Sequence, residues 1–138
     1  ATRFTGTVTG TLRATERTSC FMVHAVGLET LALTVTVDGR LAETEVVREE
    51  DNMWSVVNLK GNATLEEGSV VVYVTKYAGS VGTARPDGLY RGRNAVGAHD
   101  AGLMLATHMQ YLHAREVFPV LDEPAFKALW SATIAVPE

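Results

Sequence analysis

The sequence predicts an all-β fold, an antiparallel β-sandwich or a curved, saddle-like sheet. Three observations carry that expectation. Apolar and polar residues alternate through most of the first half of the chain, which is the period of strands with one buried face. Asp38-Gly39 separates two such runs, and this dipeptide suits a tight hairpin turn. Val70-Val71-Val72-Tyr73-Val74 is apolar at every position, as in a central strand covered on both sides.

The elements follow in order. Phe4, Val8 and Leu12 point one way, while Thr5, Thr7, Thr9, Thr11 and Arg13 point the other. Gly6 and Gly10 share the apolar face, marking close packing or a bulge. Ser19 to Val26 is a second run. Leu28 to Val37 is a third, with Leu31, Leu33, Val35 and Val37 set against Thr30, Thr34 and Thr36. After the Asp38-Gly39 turn, Arg40 to Arg48 is expected to return as its partner strand, with Glu43 and Glu45 on the wetter face. Glu49-Glu50-Asp51-Asn52 reads as a charged turn, Met53 to Leu59 as a strand ended by Lys60-Gly61-Asn62, and Leu65-Glu66-Glu67-Gly68 as a tight turn before a strand from Ser69 to Ala78. Gly79 to Ala101 holds five glycines and Pro86 and reads mostly as loop, with a short strand at Gly88-Leu89-Tyr90-Arg91. Leu103 to Gln110 regains strand character. Ala114 to Val117 fits one helical turn stopped by Pro119. Asp122-Glu123-Pro124 is a turn, and Lys127 to Val136 is expected to be the last strand.

Composition narrows the function classes. A chain of 138 residues suits one domain, spanning 1–138, with its own core. Twelve basic against sixteen acidic residues leave a net charge of −4, so no nucleic-acid or membrane partner is expected. No apolar run approaches the roughly 20 residues of a membrane-spanning helix. The single cysteine, Cys20, excludes an intrachain disulfide and a thiolate zinc site; it is expected to pack rather than react, and a cytoplasmic location is the matching expectation. The chain opens Ala1-Thr2-Arg3-Phe4 and closes Val136-Pro137-Glu138, and both ends are expected to be cuts in a longer polypeptide. Asn62-Ala63-Thr64 matches a glycosylation sequon, without consequence inside the cell.

The most informative stretch runs from Thr107 to Ala128. It contains Thr107-His108-Met109-Gln110, Ala114-Arg115, Phe118-Pro119-Val120-Leu121-Asp122-Glu123-Pro124 and Lys127-Ala128. This order resembles the motif Thr-Gln-x-Gln/Glu, Ala-Arg, Phe-Pro-Cys-x-Asp-Glu-Pro, Lys-Ala of the M1 zinc aminopeptidases headed by aminopeptidase N. Phe4, Gly6, Val8 and Leu12 match an early strand of that family's N-terminal domain. Thr18, Ser19 and His24 resemble a following Thr-Ser-x-x-x-x-x-His segment with one intervening residue fewer, and Gly88-Leu89-Tyr90-Arg91 matches its Gly-Leu/Phe-Tyr-Arg. The resemblance covers nearly the whole chain and favours the broader aminopeptidases over leukotriene-hydrolase-like members. Two positions depart: His108 stands where the family has Gln, and Val120 where it has Cys.

The resemblance implies an N-terminal domain of an enzyme that removes N-terminal amino acids from peptides. It implies zinc as the cofactor of the complete enzyme, held by a His-Glu-x-x-His motif and a distant Glu in a separate catalytic domain. That motif is absent here, as is the Gly-x-Met-Glu-Asn segment that helps to recognise the free amino end. No catalytic residue and no metal ligand is therefore expected in this chain; its four histidines, His24, His99, His108 and His113, are read as surface or motif-packing residues. The implied partners are the catalytic domain of the same polypeptide and the amino end of a peptide substrate. By resemblance, Gln110 binds substrate: its side-chain carbonyl can accept a hydrogen bond from the α-ammonium. His108, expected on the same strand face as Gln110, is a second substrate-binding candidate, provided its imidazole is neutral. Arg115 and Lys127 are expected to form an ion-pair network fixing the loop, and Asp122 and Glu123 to be structural rather than catalytic. The alternatives are a non-catalytic M1-like scaffold domain for protein–protein interaction and a free-standing sandwich binding module. Without a catalytic partner, the fragment is also expected to self-associate through an exposed apolar face or sheet edge.

Overall fold

A computed structural model describes residues 2–49, 54–96 and 99–136. Nine strands are found among them: β1 (Arg3–Arg13), β2 (Cys20–His24), β3 (Glu29–Val37), β4 (Arg40–Ala42), β5 (Thr44–Glu49), β6 (Trp54–Leu59), β7 (Val70–Ser80), β8 (Gly88–Val96) and β9 (His99–His108). They form a four-stranded sheet ordered β1-β7-β3-β4, a three-stranded sheet ordered β2-β6-β5, and the two-stranded ribbon β8-β9. Every strand pairing is antiparallel. The all-β expectation is met.

The core lies between the two larger sheets. Val35, Val71 and Tyr73 from one meet Val23, Val57 and Leu59 from the other, with Leu65 closing one end. Phe21 and Tyr73 stack across the gap with ring centroids 5.9 Å apart. β7 is central, paired with β1 on one side and β3 on the other, as its doubly apolar sequence requires. The glycines of β1 mark close packing rather than a bulge. Gly6 lies opposite Tyr77 and Gly10 opposite Tyr73 in an uninterrupted register, and a Cβ at either position would overlap the facing tyrosine ring.

The Asp38-Gly39 turn is present, with φ of 49° and 79° at its two residues, the left-handed pair of a two-residue hairpin. The structure corrects four other expectations. Arg40 to Arg48 is not one partner strand: β4 pairs with β3, and the chain then crosses at Glu43 to the other sheet, where β5 pairs with β6. A chain that turns a sandwich corner stays extended, so its alternation does not register the change of sheet. Leu31 is exposed rather than facing the core, because the register of β3 against β7 shifts between Thr30 and Ala32 and a bulge re-aims the side chain. Much of Gly79 to Ala101 is strand. Gly79 lies within β7 under the Phe4 ring, and Gly92 lies within β8 opposite Met104, so these glycines serve close approach, not loop. Lys127 to Val136 forms no strand. Its alternation is strand-like, but among the described residues no strand pairs with it, and Leu129, Ile134 and Val136 are exposed. The expected turn at 50–52 and the residue Met53 lie outside the described residues.

Substituting Gly10→Ala tests the packing of β1 on β7. The added methyl meets a tyrosine ring that is itself buried, and overpacking of this kind costs about 1–3 kcal/mol. Urea unfolding should show that loss, whereas Thr9→Ala on the exposed face should stay within about 0.5 kcal/mol of the parent.

Candidate functional site

The ribbon β8-β9 delivers the chain to the motif. His108 is the last residue of β9 and pairs with Gly88 at the start of β8. Gln110 lies two residues further on, in the turn that precedes a short 3-10 helix at Ala114–Glu116. The two therefore do not share a strand face, contrary to the sequence reading, which carried β9 through Gln110. Both are exposed. The Gln110–Tyr111 peptide is cis, and the amide of His113 donates to the carbonyl of Met109 at 3.1 Å.

The segment behind Gln110 is pinned to the sandwich at three points, at Val26 and twice at His24, and is tied to itself by a fourth contact. The amide of Val26 donates to the carbonyl of Arg115 at 2.9 Å. His24 and Val120 exchange two backbone hydrogen bonds, of 2.8 and 3.1 Å. The backbone amide of Asp122 donates to Nδ1 of His24 at 3.1 Å. Finally, Arg115 Nε donates to Asp122 Oδ2 at 3.0 Å, and its Nη2 to the Asp122 carbonyl at 2.9 Å. The side chains of this ion pair are only 6% and 13% exposed, so the charges satisfy each other in a largely dry setting.

The charged residues around the prolines make contacts of the loop itself. Asp122 spends its carboxylate on Arg115, and Glu123 approaches Nε2 of His24 at 3.7 Å; both act in the loop's own structure. The loop is fixed by Arg115 with Asp122, not by Arg115 with Lys127, which is exposed and outside that pair. Sequence reasoning used charge alone and could not see which acid the guanidinium would reach. His24 is only 2% exposed and packs on Trp54 with ring centroids 5.0 Å apart. The Thr18-Ser19-x-x-x-x-His24 segment was its only sequence signal.

A second cluster, absent from the sequence reading, stands beside His108. Asp87 Oδ1 is 3.8 Å from His108 Nδ1 and 3.7 Å from His113 Nε2, while its Oδ2 lies 3.3 Å from Arg85. His113 Nδ1 lies 2.9 Å from Glu116. Asp87 sits in the loop between β7 and β8, where nothing in the sequence distinguished it. Among the described residues, no group of three or more His, Cys, Asp or Glu side chains is arranged to hold a metal ion, so this cluster does not fit zinc. A groove of about 990 Å³ lies between β1 and residues 126–131 and is lined by neither His108 nor Gln110.

An all-β domain that presents a polar turn from a clamped Asp-Glu-Pro loop defines a class, and comparison with known proteins gives its family. The chain belongs to the peptidase M1 N-terminal domain family, whose model matches residues 1–138. It is 30% identical over 134 residues to aminopeptidase M1-C of Oryza sativa subsp. japonica, covering 97% of this chain and 15% of the relative. It is 30% identical over 143 residues to aminopeptidase Q of Acinonyx jubatus, covering 95% and 14%. It is 28% identical over 89 residues to aminopeptidase N of Acetobacter pasteurianus, covering 64% and 24%. The chain thus spans less than a quarter of the length of each of these relatives.

Breaking the buried pair should be costly. Asp122→Ala leaves Arg115 buried without its partner, which destabilises by about 3–5 kcal/mol. In a double-mutant cycle, Arg115→Met combined with Asp122→Leu should cost much less than the sum of the single changes, as read from thermal or urea unfolding.

Proposed function

We propose that this chain is the N-terminal domain of a zinc-dependent aminopeptidase and forms one wall of the pocket that receives the amino end of a peptide. The family is generally zinc-dependent. In this reading the metal, and the residues that activate water on it, belong to a catalytic domain of the same polypeptide outside these residues. This domain binds and orients; it does not cleave.

The observation that carries the reading is the position of Gln110. An exposed amide side chain in a turn tied to the sandwich by buried contacts can present its carbonyl oxygen in a fixed place. A substrate α-ammonium has three donors and no acceptor, so a pre-placed carbonyl oxygen is a suitable partner. The bond strengthens where a second domain excludes water. His108 is the second wall residue. Its Nδ1 lies 3.8 Å from Asp87 Oδ1, and an imidazole nitrogen that carries a lone pair can accept a hydrogen bond from the same ammonium. The non-catalytic scaffold reading shares all of these features, and an intact His-Glu-x-x-His downstream decides between them.

Two substitutions in the complete parent enzyme test the pocket. Gln110→Ala should lower kcat/KM by about 10- to 100-fold, the loss of one hydrogen bond to a charged group, while Gln110→Glu should retain activity by offering a carboxylate instead. Unchanged kinetics in Gln110→Ala would remove the residue from the site. His108→Gln should alter the relative kcat/KM among substrates with different N-terminal residues; identical ratios would show that His108 only packs.

A further inference from the structure

We propose that His24 is a positioning residue for the candidate site: its neutral imidazole holds the Asp122–Glu123 turn through the Asp122 amide, and its protonation releases that turn. The consequence for Gln110 rests on the function proposed above; the latch itself does not.

The argument starts from hydrogen-bond inventory. The Asp122 amide has one proton to donate and places it on Nδ1 of His24 at 3.1 Å. Nδ1 must therefore carry a lone pair, which leaves the ring proton of the neutral form on Nε2, facing Glu123 at 3.7 Å. Protonating Nδ1 would set two N–H groups against each other, with the ring buried and stacked on Trp54. Asp122 would have to turn away, and its carboxylate and carbonyl are the two acceptors that hold Arg115. Arg115 lies five positions after Gln110, in the short helix that follows the Gln110 turn. One buried imidazole on β2 thus holds Asp122, the residue that in turn holds Arg115.

The charged groups facing the ring are Arg115 from the 3-10 helix and Asp122 and Glu123 from the turn. Burial, and then the Arg115 charge, lower the His24 pKa from its ordinary value, outweighing the opposing pull of the Val120 hydrogen bond, Glu123 and Asp122. The unfolded chain therefore binds this proton at higher pH than the folded chain does. The stability the latch supplies is complete above the unfolded imidazole value of about 6.5 and is lost as pH falls through the lower folded value.

The test uses the 138-residue chain and amide exchange followed by NMR, with no substrate. From pH 7.5 down to 5, the protection factor of the Asp122 amide should fall at least tenfold. The Leu59 amide, bonded to Ser19 within the sandwich, should keep its protection. His24→Asn retains an acceptor near Nδ1 but cannot titrate, so it should keep Asp122 protected across the range; His24→Phe should leave Asp122 unprotected at every pH. Constant Asp122 protection in the parent, or parallel loss at Leu59, would overturn the latch. If His24→Phe does not fold, the parent and His24→Asn profiles still decide. Should the latch hold while Gln110→Ala leaves kinetics unchanged, the pocket reading fails and the latch stands.

Discussion

The Arg115–Asp122 ion pair is the constraint on which the functional end of this domain depends. The sandwich has its own core and does not need it. The segment after β9 has no such core: it is a turn, three residues of 3-10 helix and a proline-bounded loop. Segments of this kind do not hold a fixed shape by propensity. Here a guanidinium that is almost fully buried gathers one carboxylate and one carbonyl from seven residues away, and backbone hydrogen bonds fasten the result to His24 at the end of β2 and to Val26 just beyond it. A buried charge pair is a poor source of net stability but a strict one in geometry. Strict geometry is what the proposed binding role of the turn requires.

The same logic orders the rest of the fold. Tyr73 and Tyr77 demand glycines opposite them, which brings β1 close to β7 and fixes its register. β7 sits between β1 and β3, and Tyr73 stacks on Phe21 of β2. β2 then carries His24 at its far end, under the Asp-Glu-Pro loop. A continuous run of packed contacts thus leads from the first strand to the turn that bears Gln110.

The sequence made the sandwich legible because its strands alternate and its hairpin carries Asp38-Gly39. It hid the corner at Glu43, where an extended chain changes sheets without changing pattern. It also hid the extent of the β8-β9 ribbon, because Gly79 and Gly92 looked like loop residues and are in fact positions of close approach. The opposite error arose at 127–136, where alternation was clear but a strand also needs a partner. At the candidate site, Gln110 and His108 were singled out only through resemblance. The pairing of Arg115 with Asp122 and the burial of His24 were not, since both depend on contacts between residues far apart in the chain or on a loop path that local pattern does not encode.

The central claim is that this clamped turn offers Gln110 to the amino end of a bound peptide. A crystal structure of the complete parent polypeptide with a peptide-like inhibitor bound through its α-ammonium tests it most directly. The Gln110 side-chain oxygen should lie about 3 Å from the inhibitor nitrogen, with Arg115 and Asp122 still paired behind it. A Gln110 side chain turned to solvent, or an ammonium held wholly by other residues, would contradict the claim.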